Sequence, residues 1–335
     1  MNMKTHVTLK DVATEVGLTT MSVSQILRGR GRFALETRKR VFAAAARLGY
    51  RPNSQARAVR SGKTNMIAFL FGARSEGSHL DKRTLMGVEH GLRDSGWNLL
   101  LTMCDPQELR SGAYIPRFLT EILADGVLIN YHFDPPEGVE TLIRDHRLPS
   151  VWLNRKTGWD AVYFDDFAAG RMAAERLLRR GLRSVSYVEH VPPTEQTTVH
   201  YSVADRRAGY SAAMQAAGLA PEVIRLEREE DVHVWGERLA PYEGLVLGRV
   251  SLEKVLVALA WQHRLPGRDV MLVTIGHEPM TRFPGVETVM LDWSILGRQA
   301  VQLLMRKLKE GEARVAAEVV APVTIPSNET EMNQR

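Results

Sequence analysis

Thr20, Met21, Ser24, Gln25 and Arg28 recur at spacings of three and four, so a short helix would present them together along one side. Hydroxyls, an amide and a guanidinium are groups that bond base edges or phosphates in a nucleic-acid groove. The opposite side of the same helix, roughly Thr20 to Leu27, carries Val23, Ile26 and Leu27, and Thr19 stands at its cap. An earlier helix is announced by Thr8-Leu9-Lys10-Asp11, a capping box in which the hydroxyl and the acidic side chain each satisfy an exposed backbone N–H. Leu9, Val12, Ala13 and Val16 then follow at helical spacing, and Gly17 ends the helix, because a residue without Cβ accepts a left-handed turn. Two short helices joined by a Gly-containing turn form a helix-turn-helix, whose second helix enters the major groove; another kind of short helical hairpin shows the same spacing. A third helix, about Glu36 to Leu48, is expected to pack Val41, Phe42, Ala45 and Leu48 inward and to turn Arg38, Lys39 and Arg40 outward, with Gly49 as its stop.

Charge separates this segment from the rest. Residues 1–63 hold 13 Lys and Arg against Asp11, Glu15 and Glu36, a net +10. The other 272 residues hold 31 Lys and Arg against 36 Asp and Glu, a net −5. A small basic module on an acidic body suggests a polyanion partner for the module alone; a solvated basic face is the bland alternative. At 335 residues, with 44% hydrophobic and 25% charged residues, the chain suits one small domain and a larger one. It has no apolar run of membrane-spanning length, and Met1 to Lys10 lack the apolar core of a signal peptide, so a cytoplasmic, nucleoid-associated protein is expected. Cys104 is the lone cysteine and is expected to be an ordinary thiol; the histidines are scattered, and neither a metal site nor a cofactor is expected.

Motifs of catalysis fail on inspection. Gly62-Lys63-Thr64 ends like a phosphate-binding loop, but Arg57 occupies the required first Gly position. Gly29-Arg30-Gly31 lacks the third Gly of a dinucleotide fingerprint, and His277-Glu278 has Thr281 where a zinc protease needs its second His. An enzyme is not expected.

Val7-Thr8-Leu9-Lys10-Asp11-Val12-Ala13, Gly17, Val23-Ser24, Glu36-Thr37-Arg38 and Leu48-Gly49-Tyr50-Arg51-Pro52-Asn53 together resemble, in order and spacing, the head of the LacI/GalR family of transcriptional regulators. The likeness continues at lower identity to about residue 330. It implies a dimeric repressor of the lac type that binds palindromic double-stranded DNA under the control of a small-molecule effector. It also implies that Pro52-Asn53 opens a hinge helix, about residues 52–60, and that paired hinges wedge apolar side chains into the minor groove; Val59 would be the wedge, where the family typically has Leu. The expected DNA-binding set is Thr8, Thr19, Thr20, Met21, Ser22, Ser24, Gln25 and Arg28, with Asn53, Ala56, Arg57, Val59 and Arg60 from the hinge. Gln25 stands where many members carry Arg, which would exchange a guanine contact for an adenine-favouring bidentate amide. Ala34 and Leu35 replace the usual Ser/Glu entry to helix three, a loss of about 0.5–2 kcal/mol relative to a Ser cap.

From Asn65 onward, short apolar runs alternate with helical patterns, which argues for parallel sheets covered on both faces. Strands are expected at Met66–Phe71, Asn98–Thr102, Gly126–Asn130 and Ser150–Leu153, then at Ser184–Glu189, Val223–Leu226, Gly244–Gly248 and Val270–Ile275. Helices are expected near 82–95, 112–124 and 137–146, then near 167–180, 204–217 and 250–263. Two such series imply two lobes with a ligand cleft between them. The fold class expected is therefore an α-helical helix-turn-helix head, residues 1–63, and an α/β two-lobed core, residues 64–330. The resemblance implies a periplasmic-binding-protein-like core crossed three times by the chain, with lobes at about 64–164 with 293–313 and 165–292 with 314–330. The polar tail, Pro326 to Arg335, has no leucine heptad, so a dimer and not a tetramer is expected.

By the same resemblance, Asn130, Arg206, Arg249, Glu278 and Trp293 are the expected effector-binding residues. A strand-end Asn130 offers donor and acceptor to a hydroxyl, or caps a loop. Arg206 has the rigid fork that bridges two oxygens, or is a solvated helix-start residue. Glu278 replaces a common Asp, and Trp293 covers a ligand face or packs in the core. Gly248-Arg249 replaces an Asn-Asp pair, Ser78-His79-Leu80-Asp81 replaces an Asn-Pro-aromatic-aromatic run, and Glu227 to Tyr242 is short of part of a helix. A carbohydrate effector is expected, with an anionic metabolite pairing with Arg249 as the alternative. A cytoplasmic sugar-binding or sugar-modifying α/β protein is the rival from another class.

Overall fold

A computed structural model describes residues 7–53, 58–59, 61–72, 80–105, 108, 111, 114–131, 137–190, 199–227, 230–276, 285–311 and 313–325. Two compact units divide the chain, residues 1–64 and 65–335. The first begins with α1 (Leu9–Val16), α2 (Thr20–Leu27) and α3 (Leu35–Leu48). Thr8 Oγ1 accepts from the Asp11 N–H while the Asp11 carboxylate accepts from the Thr8 N–H, and Gly17 takes φ +65°. Val12, Ala13, Val16, Val23, Ile26, Val41, Ala44 and Ala45 close a small core. Phe42, expected inside, is 50% exposed; Ala44 takes its place, because the helix turns its 41/44/45 edge, not 41/42, toward α1 and α2. Arg38 and Arg40 do not simply face solvent either. Their guanidiniums donate to the Gly31 and Val16 carbonyls, the second capping the end of α1. Ala34 gives α3 no side-chain cap.

At the expected hinge, Pro52 and Asn53 are not helical, whereas Ala58, Val59 and Ser61 are. Proline restrains the residue before it from helical geometry, which separates α3 from the hinge segment. The Gly62 N–H closes a turn onto the Ala58 carbonyl at 2.8 Å.

The second unit contains two six-stranded sheets. The first has strand order β11-β5-β4-β3-β1-β2, from β1 (Met66–Gly72), β2 (Asn98–Cys104), β3 (Gly126–Asn130), β4 (Ser150–Leu153), β5 (Ala161–Phe164) and β11 (Glu318–Val320). The second has order β12-β10-β9-β8-β6-β7, from β6 (Val185–His190), β7 (Glu222–Leu226), β8 (Gly244–Leu247), β9 (Met271–Gly276), β10 (Val286–Met290) and β12 (Val323–Ile325). Pairing is parallel except between β10 and β12. Central strands are apolar and buried on both faces, as in β3, because helices cover both sides. The first sheet is served by α4 (Lys82–Ser95), α5 (Glu137–Asp145) and α10 (Trp293–Glu310); the second by α6 (Asp166–Arg179), α7 (Tyr201–Ala216), α8 (Val232–Leu239) and α9 (Leu252–Trp261).

The chain passes between sheets after β5, after β10 and after β11. The last passage lies later than residue 313: Glu318–Val320 pair with Val162–Phe164 of the first sheet, and the Val315 carbonyl accepts from the Asp160 N–H. Residues 315–320 therefore belong to the first lobe, held by an edge strand whose three residues carry no period visible beforehand. The expected helix at 112–124 is replaced, over its described residues, by a single 3-10 turn at Arg117–Leu119. Pro116 enters that turn and disfavours helical geometry at Ile115.

Candidate nucleic-acid interface and effector cleft

In the head, Val23 and Ile26 are buried on one side of α2. On the other, Thr20, Met21, Gln25 and Arg28 are exposed and Ser24 is half-buried, so the expected recognition stripe faces solvent as a unit. Thr19 and Ser22 are partly committed: the Thr19 hydroxyl accepts from the Ser22 N–H at 3.1 Å and shares a hydrogen bond with the Ser22 hydroxyl at 2.9 Å. Thr8 is likewise occupied by Asp11. Asn53 is exposed and Val59 is 89% exposed; Ala56, Arg57 and Arg60 lie outside the described residues.

In the core, the carboxyl ends of the strands carry the polar groups. The sequence Phe164-Asp165-Asp166-Phe167 turns directly from β5 into α6. Asp165 caps that helix through the Ala168 N–H at 2.8 Å, and Asp166 goes inside, 1% exposed. One turn on, Gly170 meets the backbone of Arg206: a Cβ at Gly170 would lie 1.9 Å from the Arg206 carbonyl oxygen, and one at Gly209 would lie 2.0 Å from that of Phe167. This reciprocal contact presses α6 onto α7. Arg206 then reaches back along α6 and donates through Nε to Asp166 Oδ1 at 2.7 Å. Burial is the largest single influence and opposes the guanidinium charge, but Asp166 together with Tyr187 and Tyr201 more than offsets it, and the Arg206 pKa rises above its usual value.

Around this pair stand groups that the sequence had not singled out. The Tyr201 hydroxyl donates to Asn154 Oδ1 at 3.0 Å and lies close to the Asp166 carboxylate; burial first, then that carboxylate, raise its pKa. His200 Nδ1 accepts from the Ser202 N–H, and Nε2 lies 3.0 Å from the Asn154 carbonyl, so the ring bridges the two lobes. Tyr187 is fully buried, its hydroxyl raised in pKa chiefly by burial, and the glycine at 248 makes room for it: a Cβ there would sit 2.1 Å from Oη. Glu189 takes Arg207 at 2.7 Å and Arg225 at 3.1 Å. The Asp165-Asp166 doublet at a strand-to-helix junction, with Gly170 one turn later, was the available signal.

Of the expected effector residues, Asn130 is fully buried at the end of β3, paired in register with Phe71. Arg206 is buried in the polar cluster. Arg249 is exposed just past β8, its carbonyl accepting from the His190 N–H, and its charge, like that of Arg206, helps lower the His200 pKa after burial. Trp293 opens α10 and sets its ring edge-on to Phe164, centroids 5.1 Å apart, next to the Asp165-Asp166 turn. Glu278 lies outside the described residues. A cavity of about 830 Å³, lined by Arg144, Arg147, Trp152, Lys307 and Arg314 among others, lies at the amino ends of β4 and β5 and holds none of these five.

Residues 8–53 match the model of bacterial regulatory proteins, lacI family, and residues 174–326 match that of the periplasmic binding protein-like domain. Over 225 residues the chain is 29% identical to the HTH-type transcriptional regulator RafR of Escherichia coli, covering 65% of this chain and 64% of the relative. Over 215 residues it is 30% identical to the HTH-type transcriptional repressor PurR of Escherichia fergusonii, covering 63% and 60%. The chain thus spans under two thirds of the length of the curated relatives it matches. Among solved structures, the lac repressor dimer bound to operator and the anti-inducer ONPF is similar in fold, with TM-score 0.74 at 17% identity over 96% of this chain and 98% of that one. A CelR–cellobiose complex is similar at TM-score 0.60 and 21% identity, over 96% and 99%. The chain thus carries a head that matches the lacI family of bacterial regulatory proteins, residues 8–53, and a periplasmic-binding-protein-like domain, residues 174–326.

Proposed function

We propose that this protein is a DNA-binding transcriptional repressor whose operator affinity is set by a small-molecule effector, a carbohydrate, held between the two lobes. The observation that carries the proposal is the solvent-facing stripe Thr20, Met21, Ser24, Gln25 and Arg28 on the second helix of a basic helix-turn-helix head. Gln25 reads a base edge, the arginines of the head and hinge neutralise phosphates, and exposed Val59 is the minor-groove wedge. A homodimer holds two heads at the spacing of a palindromic operator. Effector closes or rotates the lobes, and its different affinity for the two arrangements supplies the switch. The protein acts in the cytoplasm, on the nucleoid, and catalyses no reaction. The lac repressor complex with operator and ONPF, and the CelR complex with cellobiose, support this assignment by likeness of fold.

The test is duplex binding by the full chain and by a chain lacking residues 1–63. The full chain should bind a palindromic duplex with an affinity that falls steeply between roughly 50 and 200 mM salt, as counterions are displaced. The truncated chain should lose that binding. A flat salt dependence, or duplex binding that survives truncation, overturns the proposal. Light scattering should give a dimer; monomer at micromolar concentration removes the geometric basis for paired half-sites.

A further inference from the structure

Three cations of the polar cluster at the strand ends are matched by carboxylates. Arg206 is paired with Asp166, Arg207 with Glu189, and Lys156 with Asp205. The Arg206 pair is the deepest, with the arginine side chain 17% exposed and the aspartate 1%. Its geometry comes from the helix crossing: Gly170 and Gly209 bring α6 and α7 so close that the guanidinium has Asp166 one turn away along the neighbouring helix. Among the described residues, Arg206 makes no other hydrogen bond than the one from Nε, so its terminal nitrogens remain donors while its charge is cancelled. Two acceptors left over beside it are carboxylate oxygens. Asp166 Oδ2 and Glu189 Oε2 are buried and make no hydrogen bond of good geometry among the described residues, and neither does the Tyr187 hydroxyl.

We infer that Asp166 is a specificity-determining positioning residue: it holds Arg206 in a buried ion pair, so that the cleft takes uncharged, hydroxyl-bearing ligands and rejects anions. This rests on the assignment of the interlobe cleft as the effector site. A hydroxyl can accept from a guanidinium N–H and donate to a carboxylate in the same place. An ionised carboxylate or a fully ionised phosphate ester can only accept, and inorganic phosphate is mainly acceptor oxygens under negative charge. Such an anion gains little from a cation already neutralised, and the Asp166 and Glu189 carboxylates repel it at low local dielectric. Removing the Asp166 charge should therefore turn this corner into an anion site built on Arg206.

The probe is inorganic phosphate, titrated at constant ionic strength and read by calorimetry and by thermal shift. Wild type is expected to show no binding that depends on Arg206. Asp166→Asn should bind phosphate at least tenfold more tightly than wild type, and adding Arg206→Gln to that variant should abolish the gain. Asp166→Ser serves if the Asn variant does not fold, since the smaller side chain keeps a hydroxyl beside Arg206. A folded Asp166 variant with no gain overturns the inference. So does wild-type phosphate binding that disappears in Arg206→Gln; if neither Asp166 variant folds, that wild-type comparison decides the matter alone. Binding lost in Arg249→Gln and indifferent to Asp166 also overturns it. Duplex binding is measured on the same samples: a chain that binds no duplex fails the regulatory assignment whatever phosphate does, whereas the phosphate result speaks only to Asp166.

Discussion

In the first lobe, Gly87 and Gly297 bring α4 and α10 into backbone contact, and a Cβ at either would lie 2.1 or 2.4 Å from the Ser294 or Thr84 carbonyl oxygen. In the second, Gly170 and Gly209 do the same for α6 and α7. The surroundings differ. Thr84, Val88 and Val301 line the first crossing. Asp166 precedes Gly170 by one turn and Arg206 precedes Gly209 by three residues, so the second crossing ends in a buried ion pair at the strand ends. One packing device thus serves as scaffold in one lobe and as the mount of a polar site in the other, and only the residues one turn away decide which.

The largest effect expected is from Arg206→Ala. It leaves the Asp166 carboxylate buried without its partner, at a cost of about 3–5 kcal/mol in unfolding free energy. Replacing both residues by apolar ones of similar size, Arg206→Met with Asp166→Leu, should recover most of that stability but not the effector response. Denaturant melts check the first statement and operator release checks the second. A loss of less than about 1 kcal/mol for Arg206→Ala would make the pair equivalent to a solvated surface contact, and the two crossings would then be alike.

Next come Gly170→Ala and Gly87→Ala, each forcing a methyl group against a carbonyl oxygen at a cost of about 1–3 kcal/mol or more. Both should lower stability. Only Gly170→Ala should also blunt the change in operator affinity on adding effector, because it displaces Arg206. Equal blunting by both would reduce the second crossing to scaffold as well.

Head and core differ in a further respect, since the head displays its polar groups and the core buries them. Gln25→Ala should leave the melting temperature unchanged and relax preference at one base pair per half-site, by about 1–3 kcal/mol if the contact is bidentate. Unchanged preference in a binding-site selection would mean that the exposed amide touches only backbone or water.

The smallest effect concerns pH. Burial, with Arg206 and Arg249 adding to it, holds the His200 pKa below the ordinary histidine value of about 6.5. The unfolded chain therefore takes up this proton first as pH falls. The stabilisation from neutral His200 is fully present above about 6.5 and is lost as pH falls through the folded value. His200→Gln should flatten that part of the profile of melting temperature against pH. A profile identical to wild type would show that His200 does not couple the lobes in its neutral form.

Legibility tracked the range of the interactions involved. The bounds of α1 and α2 could be read because Thr8, Asp11, Gly17 and Thr19 act within a few residues of themselves. Central strands such as Gly126–Asn130 and Ser150–Leu153 were visible as unbroken apolar runs, since burial on both faces demands them. β5, β10, β11 and β12 were not. β5 shares only two register pairs with β4, and β11 and β12 are three residues each, too short to carry a period. Phe42 misled because an apolar residue on a short helix need not be on its buried side.

For the candidate site, the residue types at the recognition stripe and at Arg206 came from the sequence and its resemblance to a known head and core. Whether Arg206 meets a ligand as a bare charge did not. The Asp166–Arg206 bond joins positions 40 residues apart, and the Tyr201–Asn154 bond joins positions 47 apart. The sequence alone determined everything enforced by local chemistry: the basic head, its caps and turns, the alternation of strand and helix, and the inventory of polar groups. The cancellation of one cation by one carboxylate was decided only by the crossing of α6 and α7, because a charge is neutralised by its neighbours in space, and two glycines on different helices set that distance.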